Sequence, residues 1–204
     1  MLLESQRLQV GPWPMNCYLV RCPATAEVAV VDPGADAETI LAAIGSARVR
    51  CILITHGHPD HVGALEAVRQ AVAVPVGIHP ADAETWGVQA DFPLLDGTRV
   101  EIGNCTVTVF HVPGHTPGSV CLRLNGRVLV GDTIFAGGPG HTDSPEELIL
   151  SLKSLSRTVF TWGDETELCP GHGDSTTVGA ERSAFERFLA EARPSDLCGD
   201  VTWR

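Results

Sequence analysis

Two spacings of apolar residues alternate along the first part of this chain. Residues 16–22 (NCYLVRC), 27–32 (EVAVVD), 50–55 (RCILIT) and 75–79 (PVGIH) are short runs rich in Val and Ile, bounded by Gly, Pro or Asp. Such runs read as strands. Between the second and third, DAETILAAIGSA places Ile40, Leu41 and Ile44 at helical spacing, and VGALEAVRQAVA (62–73) is another such segment. The middle of the chain changes character. RVEIGNCTVTVFHV (99–112) reads as one long alternating strand region, and SVCLRLNGRVLVGD (119–132) as a hairpin turning at Asn125-Gly126. Ser144-Pro145-Glu146-Glu147 then supplies a capping hydroxyl, a proline at the first helical position and a glutamate at the third, opening a helix through LILSLKSLSRTVF. A strand, TELCP (166–170), and a helix, VGAERSAFERFLAEA (178–192), follow. Strand and helix units at both ends of an antiparallel middle predict an α/β fold of two mixed sheets packed together, with helices outside.

Length and composition narrow the function classes. A chain of 204 residues with 44% hydrophobic and 19% charged residues builds one domain with a substantial core. Its 14 Lys and Arg are dispersed and its net charge is −11, which argues against a nucleic-acid footprint. No apolar run reaches membrane-spanning length, and MLLESQRLQVG lacks the basic start and long apolar core of a signal peptide, so a cytoplasmic location is expected. The seven cysteines form no CxxC pair and sit mostly in strand-like stretches, the pattern of reduced thiols packed in a core.

The chemistry concentrates at THGHPDHVG (55–63), where His56, His58, Asp60 and His61 fall within six positions although the whole chain holds only 8 histidines. The cluster follows the strand RCILIT, and a loop at a strand end can aim several side chains at one point, whereas a strand would send alternate residues to opposite faces. Imidazole and carboxylate are ligands for zinc, iron or manganese. Three further glycine-flanked sites lie just beyond apolar strands: His115 in HVPGHTPGS, Asp132 in VLVGDTIF and His172 in LCPGHGDS. Each alone also reads as a turn or cap residue; the threefold repetition of strand, glycine and ligand favours a metal site. His79 and His111 lack this context and are expected to play structural parts, as is Cys169 in the core.

In their order, HGHPDH, GHTPGS, GDTIF and PGHG resemble the metallo-β-lactamase superfamily, and its short glyoxalase II-like hydrolases match best. MNCYLV near the start and VVDPGAD before the first helix extend the resemblance over nearly the whole chain. It implies a four-layer αββα sandwich with a metal cleft at one edge of the sheets. It also implies two divalent metal ions, zinc foremost, with iron or manganese as alternatives. One would take His56, His58 and His115, the other Asp60, His61 and His172, with Asp132 bridging both. Asp32 resembles a position that orients a ligand, beside its plain reading as the start of a turn. Five imidazoles and two carboxylates without a thiolate suit hydrolysis by an activated water, with Asp60 orienting it and accepting its proton.

The implied substrate is a small-molecule thioester such as an S-(2-hydroxyacyl)glutathione. The longer glyoxalase II enzymes carry a C-terminal helical domain that contacts glutathione, for which the 32 residues after His172 leave no room. Persulfide dioxygenases, iron enzymes sharing this ligand set but using only the first metal position, are the alternative, since GGPGHTDSP resembles their loop. Lactonases, other small-ester hydrolases and an inactive metal-binding module complete the range. True β-lactamases are disfavoured, because the best-known dinuclear ones carry cysteine where this chain has Asp132. His141 stands where the resembling families carry Lys or Arg. It is expected to touch substrate as a mostly neutral imidazole that holds glutathione weakly, so His141→Arg is expected to lower KM up to about fivefold. The oligomeric state is left open.

Overall fold

A computed structural model describes residues 2–203. The first six-stranded sheet runs β1 (Glu4–Val10), β2 (Met15–Arg21), β3 (Val28–Val31), β4 (Val49–Leu53), β5 (Val76–Ile78) and β6 (Phe92–Pro93), in that spatial order. Its first three strands are antiparallel and β3 to β6 parallel. Parallel neighbours need crossovers, here supplied by α1 (Ala37–Ile44), by α2 (Pro59–Val62) with α3 (Leu65–Val72), and by α4 (Pro80–Trp86).

The second sheet contains β7 (Arg99–Ile102), β8 (Cys105–His111), β9 (Val120–Arg123), β10 (Arg127–Gly131), β13 (Glu167–Pro170) and β14 (Thr176–Thr177), in the order β14-β13-β10-β9-β8-β7. Between β10 and β13 lie a small ribbon, β11 (Ile134–Phe135) with β12 (Gly138–Pro139), then α5 (Pro145–Arg157) and a 3₁₀ turn, Val159–Thr161; α6 (Val178–Ala190) follows β14. The expected single strand over 99–112 is instead a hairpin. Gly103 adopts φ +59, and a Cβ there would lie 2.0 Å from Thr25 Oγ1, so a glycine turn resting on the 22–26 loop divides the run.

Alternation in the buried strands builds the layers. In β3, Ala29 and Val31 enter the core between the sheets while Val28 and Val30 face α1 and α3. In β10, Leu129 enters the same central core while Val128 and Val130 face α5 and α6. Helix, sheet, sheet and helix therefore stack as the four-layer αββα sandwich expected. Fully burying each large aliphatic side chain contributes about 1.5–3 kcal/mol, so these cores hold the strand ends in fixed register. Among the described residues no helix is long and apolar enough to cross a membrane.

Candidate metal centre

One end of the sandwich collects the carboxyl ends of β3, β4, β10 and β13, and the loop that leaves β8 joins them. The structure brings His56, His58, Asp60, His61, His115, Asp132 and His172 together there. Ligand atoms of His56, His58 and His115 lie within 4.8 Å of one another, as do those of Asp60, His61 and His172, and those of His56, His61 and Asp132. Asp132 stands between the first two groups, its carboxylate 3.9 Å from His115 Nε2, 3.4 Å from His61 Nε2 and 3.6 Å from His172 Nε2.

The rings are aimed. His61 Nδ1 lies 3.0 Å from Asp32 Oδ2 and His56 Nδ1 lies 3.2 Å from Thr55 Oγ1. His115 Nδ1 donates to the His141 carbonyl at 2.8 Å, and His172 Nδ1 to the Pro14 carbonyl at 3.2 Å. With each Nδ1 so engaged, Nε2 faces the centre. Nε2 of His56, His61 and His115 and Oδ1 of Asp132 are buried with no hydrogen-bond partner among the described residues. A buried orphan polar atom costs about 1–3 kcal/mol, so four converging orphans, all nitrogen or carboxylate oxygen, fit a bound cation.

Comparison with known proteins then places the chain. Residues 10–172 match the profile of the metallo-beta-lactamase superfamily. The chain belongs to this superfamily. A hydroxyacylglutathione hydrolase of Anaeromyxobacter dehalogenans is 39% identical over 180 residues, covering 86% of this chain and 69% of that one. Among solved structures, the BLEG-1 B3 metallo-β-lactamase has TM-score 0.79 at 30% identity, covering 88% of this chain and 97% of its own. TTHA1623 in a di-iron-bound form has TM-score 0.73 at 33% identity, covering 87% and 96%.

Two buried aspartates brace the superfamily centre. Asp32, at φ +52, accepts from the Thr55 N–H at 2.7 Å and the Thr55 hydroxyl at 2.6 Å besides meeting His61, so it fixes the base of the histidine loop. Asp82, from the first turn of α4, does the same for the first ligand group. Its Oδ2 accepts from the Gly57 N–H and the Thr116 hydroxyl, both at 2.8 Å, and its Oδ1 from the Gly118 N–H at 2.6 Å. Gly57 separates His56 from His58 and Thr116 follows His115, so one carboxylate spans both loops. Sequence reasoning missed Asp82, Thr55, Thr116 and Ser119, whose hydroxyl lies 2.6 Å from that of Thr116. The available signal was HPAD (79–82), an Asp in a short Ala-rich helix opening at a strand end on this same edge.

Charge is polarised across the centre. Burial first, then the neighbouring imidazoles, lowers His56 well below its ordinary pKa, and burial likewise lowers His58. On the other side, burial opposes protonation of His61, yet Asp32 and Asp132 outweigh it and raise the pKa. The hydrogen bond from His172 holds the Asp60 carboxyl down at about 2. Positive charge is thus favoured around Asp60 and Asp132. The GPWP turn packs close by, and Gly34 permits the approach of α2, since a Cβ there would lie 1.7 Å from the Asp60 carbonyl.

His141 has two acidic neighbours. Its Nδ1 lies 2.9 Å from Asp200 and its Nε2 3.2 Å from Asp143, and these carboxylates, Asp200 foremost, raise its pKa. His79 and His111 stack with centroids 4.1 Å apart; His79 caps α4 by accepting from the Ala81 N–H, and His111 donates to the Pro117 carbonyl. Cys169 is buried in the central core.

Proposed function

We propose that this chain is a metal-dependent hydrolase acting on thioesters of the S-(2-hydroxyacyl)glutathione type. The observation that carries the metal-dependent part is the convergence of buried, partnerless Nε2 and Oδ1 atoms on a nitrogen and oxygen donor set without thiolate. The thioester part is supported by relatives named hydroxyacylglutathione hydrolase. His56, His58 and His115 would hold one cation, Asp60, His61 and His172 a second, and Asp132 would reach both. Zinc, iron and manganese all suit these donors, and when bound they supply Lewis acidity toward a carbonyl and an acidified water.

The chain's own groups supply the rest. Asp60 has a half-exposed side chain at the open side of the cleft, where its ionised carboxylate can orient an attacking water by accepting a hydrogen bond. Asp32 holds the His61 imidazole and Asp82 the loops that carry His56, His58 and His115, so no reorganisation is needed as charge develops on the substrate oxygen. His141, between two carboxylates, would meet the glutathione arm with little net positive charge.

The test is turnover of S-D-lactoylglutathione by purified protein, run beside a β-lactam, glutathione persulfide with oxygen uptake, and metal analysis. Thioester hydrolysis should dominate, and Asp60→Asn should lower its kcat by about 10²–10⁴-fold. Comparable β-lactam turnover, or oxygen uptake exceeding thioester hydrolysis, would overturn the reading.

A further inference from the structure

Two thiols meet at the far end of the sandwich from the metal centre. Cys22 follows the last residue of β2 and Cys105 opens β8, so they belong to opposite sheets, and their Sγ atoms lie 3.5 Å apart. Met15, which opens β2, pairs with His172, while β8 ends at His111 and leads on to His115. Both cysteines therefore stand at the strand ends opposite the ligand loops. Both side chains are buried, and the residues above them, 23–26 and Asn104, are exposed turns. Gly103 lets the second turn rest on the first, since a Cβ there would lie 2.9 Å from Cys22 Sγ.

We propose that Cys22 and Cys105 are an oxidisable dithiol site, taking hydrogen peroxide as its co-reactant and closing to a disulfide that joins the two sheets. The surroundings assign the roles. The Thr25 hydroxyl foremost, then the backbone of Asn104 and Thr25 and the Cys105 thiol, lower the Cys22 pKa against the desolvation that its burial imposes. The Thr25 hydroxyl also donates to the Glu27 carboxylate at 3.4 Å. Burial moves Cys17, Cys51, Cys121 and Cys169 in the other direction. A thiolate beside a second thiol is the arrangement in which oxidation ends in a disulfide rather than in higher acids.

The step balances. The Cys22 thiolate attacks one peroxide oxygen, the O–O bond breaks, and sulfenic acid and hydroxide result. The Cys105 sulfur attacks the sulfenic sulfur as its proton passes to hydroxide, and the displaced hydroxyl group leaves as the second water with the proton first released by Cys22. Two thiols and one hydrogen peroxide become one disulfide and two waters, the sulfurs losing the two electrons that the O–O bond gains.

Intact mass spectrometry of the metal-loaded protein after hydrogen peroxide treatment tests this. The expected result is a loss of about 2 Da, a cross-linked Cys22–Cys105 peptide, and reversal by dithiothreitol. Cys105→Ser should leave Cys22 as a sulfenic acid that reacts with dimedone, and Cys22→Ser should give neither product. The cross-linked form should unfold at higher temperature than the reduced form, because the bond closes a loop spanning 83 positions. Hydrolytic turnover should change less than about twofold, since no ligand loop is touched. Wild-type protein in which Cys22 and Cys105 both remain alkylatable while other side chains oxidise would overturn the proposal, and that measurement needs no variant to fold.

Discussion

Asp82 accepts hydrogen bonds from two different ligand loops, so its chemistry is tested by a substitution that changes hydrogen-bonding sense more than size. Asparagine turns an amide N–H₂ toward at least one of the Gly57, Thr116 and Gly118 donors, leaving a buried donor facing a donor. Asp82→Asn should weaken binding of one cation by about 10–100-fold and leave the other, held around His61 and Asp32, in place. Elemental analysis after dialysis against a weak chelator checks this, and equal loss of both cations would show that Asp82 merely supports the fold. His141 behaves differently because its partners are exposed: its side chain is 49% accessible and those of Asp143 and Asp200 are 88% and 90%. A guanidinium would pair with the same two carboxylates, and exposed pairs contribute about 0–1 kcal/mol. His141→Arg should therefore shift KM for a glutathione thioester by less than about twofold, below the fivefold that a neutral imidazole led one to expect. Steady-state KM decides between them.

At the level of elements, α5 shows local sequence and tertiary structure in agreement. Ser144 Oγ accepts from the Glu147 N–H while the Glu147 carboxylate accepts from the Ser144 N–H, a complete capping box ahead of Pro145. Ser144→Ala should cost about 1 kcal/mol and lower Tm by about 2–4 °C in thermal unfolding. Where such signals were absent, the sequence was silent. β1 pairs with β2 over seven register positions, yet ESQRLQV is polar because it is an exposed sheet edge, and charge at an edge blocks further pairing. α4 carries no apolar stripe, being short and anchored through Asp82. In the 99–112 run the apolar positions change phase at Gly103-Asn104, from 100 and 102 to 105, 107 and 109, so the sequence does mark the turn, which reading one continuous strand passes over. That these seven residues would gather was legible because they sit on glycine-marked strand ends, whereas the part of Asp82 was not, because most of what it binds is backbone N–H of loops distant in sequence.

For the whole molecule, the centre joins both sheets, and whatever binds there stabilises their packing. One cation present at about a thousandfold above its Kd would add roughly 4 kcal/mol to folding, so chelation should lower Tm by about 10 °C or more. An unchanged Tm after verified metal removal would reject that coupling. The His172 loop shows how the parts are ordered along the chain. The Asn16 N–H donates to the Gly171 carbonyl at 2.7 Å, its side-chain amide to Pro170 and Gly173, and the Tyr18 hydroxyl to Pro170 at 2.8 Å. The cradle is thus translated near the beginning and its occupant near the end. A chain still emerging from the ribosome presents His56, His58 and His115 well before His172, so the Asp60 side of the centre can be finished only after residues 170–173 have left the exit tunnel and settled against β2. The order of synthesis therefore completes the His56, His58 and His115 group first and the Asp60, His61 and His172 group last.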